Sequence, residues 1–556
     1  MDEVTGQQTA GSINQTKKTS WFGNVAKNPF IFGVALFSTL GGFLFGYDQG
    51  VVSGVLTMES FGAKFPRVYN DSGFKGWFVS TLLLGRKMCV ITAVVVFVVG
   101  SAIQAGAVNI PMLFAGRAIA GFSVGQLTMV VPLYISEVSL PDIRGGLVVL
   151  QQLSITIGIL VSYWLDYGTN YIGGTRCAPG IEYTGGTVEK PVFDPYKDVG
   201  PNGCDGQSDA SWRVPLAFQI LPALVLGVGT LFFPDSPRWL FMKDREEEGR
   251  KSLATLRQKP IDHPSIETEF LEIKASVILE NTFAKEKFAN LSGVKLHAAQ
   301  VGFPQKQIVN SPSHANVLYS TIHFLALGLG SGDLQLDVPL CFSSSSWGAM
   351  SSLLATGVYG IINCISTLPA LFWIDRLGRR MLLMCGAAGT FISLVIVGAI
   401  IGAYGSNFKA HAAAGWVGVV FIYLYDVNFS YSFAPIGWVL PSEIFHLSIR
   451  SKAISITTST TWMCNFIIGL VTPGMLDKIG WGTYIFFAAF CLIAFVFTYL
   501  FVPETRGKTL EEMDSVFGDT EAHEEQKRIM QIEASLRGTA IDDSDAVKAK
   551  VLEESV

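Results

Sequence analysis

Residues 30–56 form one apolar, glycine-rich run that carries a single acid, Asp48. About 20 apolar residues cross the hydrocarbon core of a bilayer, so this run predicts a transmembrane helix rather than a soluble core helix. Asp48 lies well inside it. An ionisable side chain at that depth is costly unless it faces a partner or a wet cavity, which makes Asp48 a candidate site for an ion, a proton or a substrate. The competing placement is the outer mouth of the helix, where the acid merely meets water.

The rest of the chain repeats the pattern. Apolar runs long enough to span stand at 88–108, 111–135, 143–165, 212–233, 353–374, 381–404, 415–440, 454–473 and 484–502. With 49% hydrophobic and only 15% charged residues, the chain is too apolar for a soluble multidomain protein, and a membrane-embedded body follows. The net charge of −5 sits largely in termini and loops and argues against a nucleic-acid partner. Residues 1–28 are polar and lead straight into the first run, so the first helix serves as signal anchor with a disordered, cytoplasmic amino end. The domain expectation is an N-terminal bundle over 29–233, a charged cytoplasmic linker over 234–314, a C-terminal bundle over 315–502 and a cytoplasmic tail over 503–556. Within the linker, REEEGRKSLATLRQ and IETEFLEIKASVILE read as helices with a solvated charged face.

The loop over 167–210 is too long to lie inside lipid and is placed outside the cell. Of the eight cysteines, Cys177 and Cys204 share this loop and are placed to pair if it is extracellular. No Cys spacing suits a metal; no metal and no cofactor are expected. Two stretches break the rhythm. Residues 77–84 form an apolar segment of eight residues, too short to cross at 1.5 Å rise each, and Gly85-Arg86-Lys87 follows at once. Near 317–330 a marginal run gives way to acids and a serine block.

Two places echo each other. Glu137 is followed seven residues later by Arg144 in PLYISEVSLPDIRGG, and Glu443 seven residues later by Arg450 in LPSEIFHLSIRSKA. Each pair joins the end of one apolar run to the start of the next. Paired halves of this kind are how many secondary transporters are built, and a gating role for the pairs follows more readily than two coincidental surface ion pairs. The cluster Asp375-Arg376-Leu377-Gly378-Arg379-Arg380 is wedged between two spans, where a tight turn needs the glycine and the positive charge marks the cytoplasmic side. It reads either as topology signal alone or as a latch toward acids of neighbouring helices. The series Gly116, Ala120, Gly121, Gly125 reads as close helix packing.

Taken together, GGFLFGYDQGVVSG at 41–54, GRAIAGFSVG at 116–125, PLYISEVSLPDIRG at 132–145, PDSPRWL at 234–240, DRLGRR at 375–380, PSEIF at 441–445 and PETRGKTLEEMD at 503–514 resemble the sugar porter family of the major facilitator superfamily, most closely fungal sugar:proton symporters. The resemblance implies an all-α membrane protein with the major facilitator fold, nominally twelve helices in two six-helix bundles. It implies uptake of a monosaccharide, hexose or pentose, coupled to proton influx at the plasma membrane by alternating access, by a monomer that is not an enzyme. Asp48 matches the proton-coupling acid and Arg117 its partner. Gln151 or Gln152, Asn363, Trp438 and Asn465 match the sugar-binding groups. Amides and an aromatic platform suit a ligand whose hydroxyls both donate and accept. Arg238 in PDSPR, and Glu504 and Arg506 in PETRG, join Glu137, Arg144, Asp375, Arg376, Arg379, Arg380, Glu443 and Arg450 as the implied cytoplasmic gate.

The chain departs from the family pattern twice, with helix 2 truncated after Leu84 and helix 7 degenerate at CFSSSSWGAM. Loss of one span reverses every later loop, so a non-functional truncated product is one alternative. A non-coupled facilitator, a quinate or polyol transporter and a sugar sensor are the others; the kept Asp48 and the short tail disfavour the facilitator and the sensor.

Overall fold

The computed structural model describes residues 29–55, 87–139, 141–174, 176–187, 190–199, 204–287, 349–405, 411–444 and 450–502, with Phe61, Lys64, Glu504 and a few positions of the tail. The short segment at 77–84 and the irregular stretch at 317–348 lie outside the described residues. So do Arg86 and Arg506.

Helices dominate. The first run is α1 (Pro29–Ser38) and α2 (Leu40–Val55), nearly continuous through a backbone bond from Phe43 to Thr39. Ser38 and Thr39 donate their hydroxyls to Val34 O and Leu36 O, a local competition with the backbone ladder that bends membrane helices. Next come α3 (Lys87–Ala105), α4 (Ile110–Val138) and α5 (Pro141–Thr169). Asn109 caps α4 by accepting from Met112 N at 2.9 Å, with Pro111 in the first turn where its missing N–H costs nothing.

The long loop is not wholly irregular. It holds a short antiparallel ladder, β1 (Gly185–Thr187) with β2 (Lys190–Val192), and a disulfide between Cys177 and Cys204. Asp198 is buried beside the ladder and accepts from Thr184 and Asp194 backbone N–H groups at 2.8–3.0 Å. The sixth span is split into α6 (Ala210–Phe218) and α7 (Ile220–Phe232). Arg213 on α6 donates to the carbonyls of Ala105 and Ala107, satisfying the end of α3.

The linker carries α8 (Pro237–Met242), α9 (Glu246–Arg257) and α10 (Pro264–Lys287). Here the charged face is not simply solvated. Arg257 pairs with Glu269 and donates to Val138 O at the end of α4, while Leu256 packs with Val34 and Val138. At the exposed rim, the hydrogen bond from Arg245 holds the Glu248 carboxyl below its ordinary range.

The second half contains α11 (Ala349–Thr367), α12 (Ala370–Leu377), α13 (Arg379–Tyr404), α14 (Ala412–Ser430), α15 (Phe433–Ile444), α16 (Arg450–Ile479) and α17 (Trp481–Phe501). Among the described residues, eight segments are long and apolar enough to cross a membrane, and Val90–Ala105 is a shorter apolar helix. The helix α16 falls outside that group because its Ser and Thr residues at 455–461 dilute it. Large apolar side chains face outward, Leu231 and Phe232 on α7 and Leu500 and Phe501 on α17 among them, as expected where lipid rather than water is the solvent.

Small residues set the contacts. A Cβ on Gly46 of α2 would sit 1.9 Å from Ile155 O, and one on Gly158 of α5 would sit 2.2 Å from Phe43 O, so these helices touch backbone to backbone. Gly116 of the sequence-predicted packing series meets α3 in the same manner, at Gln104. Across the halves, Ile155, Ile159 and Tyr163 of α5 share one apolar cluster with Ala355 and Tyr359 of α11.

Candidate functional site

The site is assembled by helices of both halves, with α2, α4 and α5 on one side and α11, α15 and α16 on the other. On α2, Asp48 is 3% exposed; on α4, Arg117 is 5% exposed. Arg117 Nη1 donates to Asp48 Oδ1 in an ion pair sealed inside the first half. Asn109 fixes where α4 begins and so which turn carries Arg117. Each charge offsets the desolvation of the other, which costs several kcal/mol per ion at this depth.

Beside this pair, a cavity open to solvent lies between the two halves. Its first-half wall is Phe45 and Gln49 of α2 with Gln152, Ile155 and Ile159 of α5. Its second-half wall includes Tyr359 and Asn363 of α11, Trp438 of α15, and Trp462 and Asn465 of α16. Among the described residues, the walls meet where Trp438 Nε1 donates to Gln152 Oε1 at 2.9 Å. Asn363 Oδ1 and Asn465 Oδ1 are buried without a donor among the described residues, as is the indole Nε1 of Trp462 without an acceptor. A cavity with apolar walls and a few convergent amides is the ordinary form of a small-molecule site.

The sequence leaves Gln151 and Gln152 as alternatives, and the structure separates them. Gln152 lines the cavity, whereas Gln151 packs on the α2 side, where a Cβ on Gly42 would lie 2.6 Å from its amide nitrogen. Asn363, Trp438 and Asn465 join Gln152 around one space.

The expected gate residues gather only in part. Glu504 accepts from Arg379 N at 2.9 Å and lies against Gly378, whose φ of +91° and tight contact exclude a side chain. Arg379 Nη1 donates to Ile374 O at 3.2 Å, and Arg380 Nη2 to Tyr499 O at 2.5 Å, so both basic residues cap carbonyls at helix ends. Arg376 is exposed, and Glu137 and Arg238 are half-buried at the ends of their spans. Arg144, Asp375, Glu443 and Arg450 lie on described helices, but their side chains lie outside the described residues.

Two buried acids escaped the sequence reading. Asp166 on α5 and Asp426 on α14 are fully buried within spans. The depth argument that singles out Asp48 applies equally to both, and it was the available signal. Gln49, Tyr359, Thr461 and Trp462 are further cavity residues with polar groups that went unnamed.

Comparison with known proteins fits this architecture. The profile described as Sugar (and other) transporter matches residues 34–517. The MFS glucose transporter mfs1 of Aspergillus flavus is 30% identical over 512 residues, covering 86% of this chain and 88% of the relative. The H(+)/hexose cotransporter 2 of Parachlorella kessleri is 31% identical, covering 88% and 87%, and a probable quinate permease of Aspergillus flavus is 31% identical, covering 85% and 86%. Among solved structures, the proton:xylose symporter XylE bound to 6-bromo-6-deoxy-D-glucose superposes with a TM-score of 0.64 at 25% identity, over 88% of this chain and 99% of that one. The inward-open xylose transporter XylE from E. coli does so with a TM-score of 0.59 at 26% identity, over 87% and 99%. The chain is a multi-pass membrane transporter with a major-facilitator-like helical fold, and it belongs to the sugar transporter family.

Proposed function

We propose that this chain carries a monosaccharide, a hexose or pentose, into the cell across the plasma membrane with a proton, by alternating access. The observation that carries the reading is on α2, where neighbouring residues serve both tasks. Gln49 lines the cavity and Asp48 holds the buried ion pair with Arg117. Proton and sugar are thus bound one residue apart on one rigid element.

The cycle follows from the charges. With Asp48 ionised, the pair binds α2 to α4. A proton taken from outside neutralises the acid and releases Arg117, and removing one partner of a buried pair shifts the balance by about 3–5 kcal/mol. Moving a two-state body from 1:99 to 99:1 takes about 5.5 kcal/mol, so proton binding supplies most of the bias and sugar contacts on both walls supply the rest. Sugar hydroxyls would replace the contact between Gln152 and Trp438, the polar link that now spans the cavity. The names of relatives support hexose first; the quinate permeases, at equal identity, keep a carboxylated cyclic polyol as the second reading.

The proposal extends to the finer fold: twelve helices in two six-helix bundles, both termini cytoplasmic, and the domain bounds given above. The test is uptake of radiolabelled glucose, xylose and quinate in hexose-transport-null yeast expressing the tagged chain. Saturable glucose or xylose uptake that a protonophore abolishes is expected. Surface-located protein with protonophore-insensitive uptake would mean facilitation without coupling.

A further inference from the structure

Asp426 takes no part in the proton step proposed above, yet it stands directly behind the cavity. It is fully buried on α14 and forms no ion pair among the described residues. Asn363 Nδ2 donates to its Oδ1 at 2.7 Å, Ser430 Oγ reaches the same oxygen at 3.4 Å, and the Tyr359 hydroxyl bonds the same carboxyl group. Its Oδ2 has no donor among the described residues.

The consequence falls on Asn363. A side-chain amide offers two N–H donors on one atom and a carbonyl acceptor on the other. Asp426 Oδ1 already serves as acceptor to Asn363 Nδ2 and Ser430 Oγ, and turning the amide over would set Asn363 Oδ1 against that acceptor. Asp426 therefore claims Nδ2. Oδ1, buried and without a donor, is what Asn363 has left for a ligand in the cavity it lines. A hydroxyl hydrogen satisfies that oxygen. A ligand carboxylate at the same place meets a bare acceptor with a second carboxyl group behind it, and an unmet buried acceptor is the feature that rejects most strongly.

We propose that Asp426 is a positioning residue that determines specificity: by holding the Asn363 amide with its carbonyl left for the cavity, it favours a neutral, hydroxyl-rich sugar over a polyol bearing a carboxylate. This rests on the reading of the cavity as the transport site.

The experiment measures KM and Vmax for D-glucose and for quinate in transport-null yeast, for the wild type, Asp426→Asn, Asn363→Ala and the double variant, with surface protein quantified. Wild type is expected to prefer glucose. Asp426→Asn leaves the Asn363 amide free to turn, so the glucose KM should rise about tenfold at little-changed Vmax, the equivalent of one hydrogen bond. The glucose-to-quinate preference should fall by a similar factor, and adding Asn363→Ala should cost nothing further. A merely structural role would lower both uptakes together through Vmax. Equal losses for both substrates, or additive effects in the double variant, overturn the proposal. Should Asp426→Asn be retained inside the cell, Asn363→Ala decides alone: an unchanged preference overturns the proposal as well. Wild-type cells that take up neither probe overturn the transport reading and this inference with it, whereas glucose uptake with a preference untouched by Asp426→Asn overturns this inference only.

Discussion

At the scale of single residues, the decisive feature is which buried polar groups have partners. Asp48 and Arg117 have each other. Asp48→Asn is expected to abolish sugar accumulation against a gradient while sparing exchange of labelled for unlabelled sugar, since the coupling acid is lost but the cavity is not. Counterflow in proteoliposomes, compared with active uptake, checks this; equal loss of both would assign Asp48 a structural role. Arg117, left buried without its partner, also predicts a less stable protein, by about 3–5 kcal/mol before relaxation. The two glutamines offer a cleaner contrast. Gln152→Ala removes the acceptor of Trp438 and a cavity amide, so the sugar KM should rise about tenfold, the equivalent of one hydrogen bond. Gln151→Ala should leave KM alone and act on thermal stability, because Gln151 packs against α2. Adjacent positions on a helix point about 100° apart, so one of the two had to leave the cavity, and a single sequence could not say which. Asp48, Trp438 and Asn363 were legible through depth and motif. Asp426 carried the same depth signal but no motif surrounds it to name a role.

At the scale of elements, the fold is written in small residues and in breaks. Apolar runs mark the helices well, since roughly 20 such residues have one economical conformation in lipid. The interruptions within runs were not legible. The split at Pro369 between α11 and α12 and the turn at Tyr431–Ser432 before α15 depend on where prolines and local hydroxyl bonds fall relative to neighbouring helices. In the linker, Arg245, Glu246, Glu247, Glu248 and Lys251 are exposed and one charge departs from that pattern. The linker charges predict a wet face, yet Arg257 turns inward to cap α4, because the carbonyls ending a buried helix need a donor. Arg257→Ala is expected to loosen the linker from the membrane body, raising proteolytic nicking between 246 and 287 with little change in sugar KM. Limited proteolysis of the purified protein reads the first effect and uptake the second. Between α2 and α5 the contact is harder. Gly158→Val would drive a side chain into Phe43 O, and overpacking against backbone costs about 1–3 kcal/mol or more. Such a variant should reach the surface poorly and melt lower, and one that behaved as wild type would refute the backbone contact.

At the scale of the whole molecule, topology can be argued by parity. If the amino end is cytoplasmic, the described spans alone, α1–α2 and then α3, α4 and α5, would leave the loop after Thr169 in the cytoplasm. That loop carries the Cys177–Cys204 disulfide, which belongs on the oxidising side of the membrane. One further crossing before Lys87 restores the order, and it also places the Glu137–Arg144 turn and the linker inside. The same counting applies to the second half. With the linker inside, α11–α12 as the next crossing would put the Arg376–Arg379–Arg380 cluster outside, against the positive-inside tendency, unless another segment crosses before Ala349. Both required crossings fall on 56–86 and 288–348, where the sequence departs from the family pattern. The expectation is therefore that transport depends on whether these segments cross. An impermeant maleimide applied to intact, reduced cells should label Cys177 and Cys204, with the Cys177→Ser/Cys204→Ser pair as background, if residues 56–86 complete a span. Protection of both thiols, with uptake appearing only when spans of family length are built in at both places, would mean that eight apolar residues at 77–84 are too few and that this chain's topology is inverted after its first helix. Labelling together with proton-driven uptake would mean instead that residues 56–86 supply the further crossing in spite of the short apolar segment at 77–84.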